Sequence, residues 1–283
     1  MTAVAAVRPS PIAGTWYSGK AEVLARQVDG WMDQAMLPPL EGAVIGVMAP
    51  HAGHRYSGRT AAHAFRAVRG QTRPLVVILS PYHAWSQAAL LTTAHAAYQT
   101  PLGQVRVDVD GLAQVDEGLA ERRQPVLRRV AFDEEHSLEI ELPFLQRALS
   151  GDFRLLPLMV RSQDWNFLSA LADVLAHVLR NQPDALLVAS TDLSHFYPLS
   201  VAQQLDAEML RRVAAFDPRA VLEAERSRVG FACGVGAVVT MLLAAQRLGA
   251  DAAQVVHYST SAEETDDVSS VVGYGAALVL KRG

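Results

Sequence analysis

Four places in the chain carry side chains able to hold a metal or move a proton. Histidine occurs as His51 in Pro50-His51-Ala52-Gly53 and as His83 in Ser80-Pro81-Tyr82-His83. Asp192 and His195 share the run Ser190-Thr191-Asp192-Leu193-Ser194-His195, and the single cysteine, Cys233, lies in Phe231-Ala232-Cys233-Gly234-Val235-Gly236. Two imidazoles and a thiolate leave positions open on a first-row transition metal, where oxygen or substrate can bind. A thiolate is soft, which favours iron, copper or zinc over magnesium or manganese. Asp-x-x-His can place a carboxylate and an imidazole on one pocket wall. The carboxylate then raises the imidazole pKa and fixes its tautomer, which makes His195 the proton-moving group and Asp192 its partner.

Each residue also has a plainer use. His51 can be a loop histidine satisfied by backbone groups, and Cys233 a small core residue. His195 can do no more than hydrogen-bond Asp192. His136, in Asp133-Glu134-Glu135-His136-Ser137-Leu138-Glu139, can cap a helix or pair with its acidic neighbours. His54, His63, His95, His177 and His257 read as structural or solvated.

The positioning elements follow from the apolar pattern. His51, His83 and Asp192 each come after a short apolar run, at 44–48, 75–79 and 185–189, as buried strands do. Pro50 ends the first run and pushes Ala49 toward an extended conformation. Gly53 and Gly58 let the chain turn into a helix from near Arg59. Ligands of open α/β sheets bind outside the carboxyl ends of the strands. Cys233 precedes a strong helical pattern at 237–248, and a helix N-terminus stabilises a thiolate and lowers the thiol pKa. Further helices are predicted over 20–36, 111–122, 201–215 and 218–226, and from an Asp164 cap to Leu179. Further strands are predicted over 89–93, 104–109, 154–160, 254–260 and 271–280. Pro143 starts or kinks a helix, and Pro157 predicts an edge or irregular strand. This alternation predicts one α/β domain over 1–283, a mixed, largely parallel sheet with helices on both faces.

Composition narrows the function classes. The chain has 283 residues, 50% hydrophobic and 19% charged, enough for an ordinary core. Net charge is -4, and no basic run interleaves with aromatics, so nucleic acid is not an expected partner. No stretch approaches the ~20 apolar residues that span a bilayer. Residues 1–7 lack the basic start and long apolar core of a signal peptide. The expectation is a cytoplasmic protein without membrane contact. One cysteine rules out an intrachain disulfide and any zinc site needing two thiolates from this chain.

Five motifs together resemble the Memo family, whose prokaryotic members are also called AmmeMemoRadiSam system protein B. They are Ala13-Gly14-Thr15-Trp16-Tyr17, Ala49-Pro50-His51-Ala52-Gly53, Glu135-His136-Ser137-Leu138-Glu139, Asp192-Leu193-Ser194-His195 and Cys233-Gly234, in the family's order. The resemblance implies a fold similar to the class III extradiol, or LigB-like, dioxygenases. By position it matches His51, His83 and Cys233 to metal ligands, and Asp192 and His195 to polar residues of the same pocket. The dioxygenases' acid/base histidine corresponds to His195. Two departures stand out. His83 is followed by Ala84, where the family commonly has a second histidine, and Cys233 stands where the dioxygenases use a carboxylate. The resemblance implies a dioxygenase-like oxidoreductase using non-haem iron(II) or copper, with zinc as the other metal, on a small molecule or a partner-protein residue. A radical-SAM protein and an AMMECR1-domain protein are the implied partners. The alternative is a non-catalytic metal- or peptide-binding adaptor, since animal relatives are described as recognising phosphorylated peptides. Arg55 and Arg59 are the cations available for that role, and metal storage is a third use.

Overall fold

The computed structural model describes residues 6–283, so the apolar start falls largely outside the described residues. Its strands are β1 Val7–Arg8, β2 Ala43–Ala49, β3 Leu75–Ser80, β4 Leu90–Thr93, β5 Ala97–Thr100, β6 Gly103–Val107, β7 Arg128–Val130, β8 Arg154–Val160, β9 Leu186–Ser190, β10 His195–Tyr197, β11 Ala252–Thr260 and β12 Val271–Lys281. The helices are α1 Ala21–Gln34, α2 His54–Arg66, α3 Val109–Glu121, α4 Leu142–Ala148, α5 Trp165–Leu179, α6 Leu199–Ala214, α7 Pro218–Arg226, α8 Val235–Arg247 and α9 Ala262–Thr265.

The strands join in one sheet in the order β1-β5-β6-β8-β3-β9-β2-β12-β10, with β11 on β12 and the β4–β7 pair beside β8. β6, β8, β3, β9 and β2 are parallel neighbours. β12 lies antiparallel to β2 and carries β10 and β11 antiparallel to itself. β3 and β9 are buried at every residue, as strands covered on both faces must be. One helical layer packs α1, α2 and α4 together; the other packs α3 and α8 against α5, and α7 against α8. This is the mixed, largely parallel α/β sheet predicted above.

Strand register brings the site loops together. Ala49 of β2 pairs with Ser190 of β9, and Leu79 of β3 pairs with Ala189. The chain therefore leaves β2, β9 and β3 at one edge of the sheet, with β9 in the middle. The Thr191 N–H donates to the Ala49 carbonyl at 2.9 Å, carrying the pairing one residue past the strand.

The structure departs from the sequence pattern in three places. Helix α2 starts at His54 rather than near Arg59, because the Gly53 carbonyl already accepts from the N–H groups of Tyr56 and Ser57 at 2.8 and 3.2 Å. β8 is an interior strand, not an edge. It pairs with β3 along its length and, on its other side, with β6 at Arg154–Leu155 and with β4 at Met159–Val160. Pro157 stands in the gap between those two pairings, which is how a strand interior tolerates proline. The short strands β1, β5, β7 and β10 have too few residues to show a period, and the apolar pattern does not predict them. The Asp164 cap forms as expected, its carboxylate accepting from the Phe167 N–H at 2.9 Å. Among the described residues no helix is long and apolar enough to cross a membrane.

Candidate metal centre

Pro50 stops β2 and leaves His51 at the sheet edge, 1% exposed. Its backbone N–H donates to Asp192 Oδ1 at 2.8 Å, and the Ala52 N–H donates to the same oxygen at 3.3 Å. Its ring Nδ1 meets Ser190 Oγ at 3.0 Å, and Ser190 Oγ meets the buried Glu141 carboxyl at 2.6 Å. Nε2 lies 3.2 Å from Cys233 Sγ. His83 sits at the mouth, its side chain 38% exposed. Glu135 grips it twice, accepting from its backbone N–H at 2.6 Å and meeting ring Nδ1 at 2.9 Å. His136 donates its own N–H to Glu135 at 3.0 Å. Its ring stacks on His83 at 4.7 Å and on Trp16 at 4.0 Å between centroids.

One ligand nitrogen from each of His51, His83 and His136 lies within 4.8 Å of the others. With Nδ1 occupied in His51 and His83, Nε2 is the atom each has left for a metal. Imidazole ligands are held in this way, the far ring nitrogen fixed by a hydroxyl or carboxylate. Sequence reasoning gives His136 only the part of a cap or an acid's partner. Its one signal is the charge-dense run at 133–139, of whose acids Glu135 and Glu139 turn out buried.

Cys233 lies just before α8. Its N–H donates to the Asp192 carbonyl and its Sγ accepts from the Asp192 N–H, both at 3.2 Å. Gly234 makes this close approach workable: an added Cβ would collide with the Ser190 carbonyl and lie 3.0 Å from Thr191 Cβ. Gly234→Ala is expected to cost ~1–3 kcal/mol, as overpacking does, and to free the Cys233 thiol for alkylation. Unchanged thermal unfolding and thiol reactivity would contradict this.

Burial sets the protonation states. Burial and the nearby charge of His83 hold the His51 imidazole neutral. Burial brings His136 down to about 4, only partly countered by Glu135. Burial works against the His83 imidazolium too, but the hydrogen bond and charge of Glu135 outweigh it, so His83 titrates above the usual histidine range. Glu135 itself is held well below the usual carboxylate range. Burial opposes this, and His83 with the nearby amides overcomes it. Burial pushes Asp192 up to about 7 despite the amides of His51 and Ala52. The expected lowering of the Cys233 pKa is reversed, because burial and the Asp192 charge raise the thiol and outweigh the hydrogen bonds it receives from Asp192, Thr191 and Gly234.

His195 opens β10, half-buried, with Nε2 buried and without a hydrogen-bond partner. Burial and the charge of His83 lower its pKa. The expected Asp192–His195 bond is not formed, because Asp192 is spent on the backbone of the His51 loop. The Asp206 carboxylate instead fixes the turn before β10, accepting the Ser194 N–H at 2.9 Å. Beside Ala52 and Gly53 opens a cavity of about 470 Å³, walled by Trp16, Tyr56, Phe196 and Tyr274. Phe196 adopts φ 63°, uncommon for a bulky residue, and its side chain is 74% exposed. Among the described residues no Lys or Arg lines this cavity; Arg55 and Arg59 line a neighbouring recess, and Arg59 pairs there with Glu264 at 3.6 Å.

The donor set fits a divalent transition metal. The imidazoles of His51, His83 and His136 converge, and the partly buried Cys233 thiol, outside that group of three, faces His51 Nε2. Fold and site together define an α/β protein with a cluster of three histidines, able to hold a metal ion, at the carboxyl edge of the parallel strands. Residues 8–278 match the family model described as Memo-like protein, and the chain belongs to that family. It is 32% identical to a MEMO1 family protein of Methanopyrus kandleri, covering 98% of this chain and 99% of that one. It is 30% identical to one of Methanosarcina barkeri, covering 96% and 100%, and 28% identical to one of Nitrosopumilus maritimus, covering 95% and 98%.

Proposed function

We propose that this protein is a metal-dependent oxidoreductase that holds one divalent transition metal, iron(II) or copper, at His51, His83 and Cys233. Its substrate is a small molecule or a residue of a partner protein. The observation that carries this reading is the convergence of three imidazoles, one of which faces the partly buried Cys233 thiol. When bound, the metal supplies Lewis acidity and redox chemistry toward oxygen at its open positions. The chain's own residues do the rest. Glu135 orients His83, while Ser190 and Asp192 orient His51. His195 Nε2, buried within reach of the His83 charge, holds or takes a proton beside the metal site. The aromatic walls exclude water and seat a flat apolar group. A radical-SAM protein and an AMMECR1-domain protein are the proposed partners, on the resemblance alone.

The adaptor reading finds less support, since the cavity beside His51 lacks the cations a phosphorylated peptide needs. Protein purified without oxygen tests the choice. Stoichiometric iron or copper is expected, with an optical change on adding bidentate aromatic ligands and oxygen uptake that depends on the metal. Zinc alone, silent to oxygen and to every chelating ligand tried, would favour the adaptor.

A further inference from the structure

One buried guanidinium fastens the N-terminal segment to the loop that carries Glu135 and His136. Arg8, at the end of β1, is 2% exposed. Its Nη1 donates to Glu139 Oε2 at 2.6 Å. Its Nη2 donates to Asp133 Oδ1 at 2.7 Å and to the backbone carbonyls of Asp133 and Glu135 at 3.2 and 2.8 Å. Its Nε donates to Asp133 Oδ2 at 3.4 Å. The same loop is held by other residues of this segment. Tyr17 Oη donates to Glu139 Oε1 at 2.7 Å, Ser10 Oγ donates to the same oxygen, and Trp16 lies on the His136 ring. Arg8 thus fixes the beginning, middle and end of the 133–139 loop. The middle is the part that orients His83 and carries His136.

We infer that Arg8 is a positioning residue of the metal centre. It sets the places of His83 and His136 by clamping the 133–139 loop, although it contacts neither imidazole. The inference rests on the metal reading above. An arginine is required because a planar fork can serve Asp133, Glu139 and the Glu135 carbonyl at once; a lysine ammonium is a point charge and cannot.

The test is Arg8→Lys, which keeps the charge. Arg73→Lys is the control: Arg73 holds the Val44 carbonyl at 2.9 Å, near the amino end of β2, at the opposite edge of the sheet from His51. Cobalt(II) titration followed by its visible bands reads affinity. Amide hydrogen exchange of metal-free protein reads the N–H groups of His83, His136 and Ser137, which all donate to Glu135. Arg8→Lys is expected to weaken cobalt binding ~10–100-fold, as loss of a ligand's supporting partner does. It should deprotect those three amides selectively, and Arg73→Lys should do neither. Arg8→Lys combined with His136→Ala should lose less affinity than the product of the two single losses, because both act on one loop. A folded Arg8→Lys protein with wild-type affinity and wild-type protection of the three amides overturns the inference. If wild-type protein takes no cobalt, the metal reading fails, while the amide exchange still decides the role of Arg8. If Arg8→Lys does not fold, Asp133→Asn is the milder variant, since it weakens the same grip from its other end, with smaller losses of the same kind expected and their absence overturning the inference.

Discussion

Cys233→Ala will lower metal affinity by more than the ~100-fold that marks the upper range for a supporting partner, and His136→Ala will stay within that ~10–100-fold range. Cys233 alone among the proposed ligands brings a negative charge to the metal, and its Sγ lies 3.2 Å from His51 Nε2. His136 stacks on His83 and adds a neutral imidazole beside the pair. The pH dependence follows with a definite sign. Burial and Asp192 raise the Cys233 thiol, so a bound metal must displace its proton, and affinity climbs with pH through the neutral range. His83, raised by Glu135, must also be neutral, so affinity falls as pH drops through its titration. His51 and His136, already neutral, add no slope near neutrality. Calorimetric titration in buffers of different ionisation enthalpy counts the released protons, and Cys233→Ala should release fewer. Wild-type affinity and proton release in Cys233→Ala, with metal lost in His136→Ala, would assign the metal to the three imidazoles instead.

His195→Ala is expected to keep its metal and lose turnover by ~10²–10⁴, the usual worth of a positioned acid or base. His195 Nε2 is buried without a partner beside the site, and burial with the charge of His83 keeps the ring neutral. Asp192 separates from it in the same assay. Asp192→Asn keeps an oxygen for the His51 and Ala52 amides and should change metal binding little. Asp192→Ala leaves two buried N–H groups unpaired, at ~1–3 kcal/mol each, and should loosen His51. Metal loss in His195→Ala as complete as in His51→Ala would make His195 a ligand.

The strand ends are legible in the sequence because β2, β3 and β9 are fully apolar runs closed by a proline or a polar turn. That pattern by itself puts His51, His83 and Asp192 on one edge of the sheet. Cys233 is legible from the glycine-flanked start of α8. The loop with Glu135 and His136 is not, because the strand before it, β7, is only three residues long and carries no apolar pattern. Its dense charge gives no sign of burial, yet Glu135, Glu139 and, just past the loop, Glu141 are buried. The partner that makes burial of Glu139 tolerable is Arg8, more than a hundred residues earlier, and local periodicity carries no trace of such a pairing. Asp192 and His195 mislead differently. Their spacing suggests a mutual bond, but the neighbouring strand offers Asp192 two backbone amides.

The crossovers from β2 through α2 to β3, and from β8 through α5 to β9, collect the site from loops spread along most of the chain. Nothing less than the whole sheet can present it, so an occupant of the pocket holds the entire fold by mass action. At a hundred times its dissociation constant a ligand adds about 2.7 kcal/mol to global stability. At about 2–4 °C per kcal/mol for chains of roughly this size, that is a melting shift large enough to screen metals and small molecules without a reaction to follow.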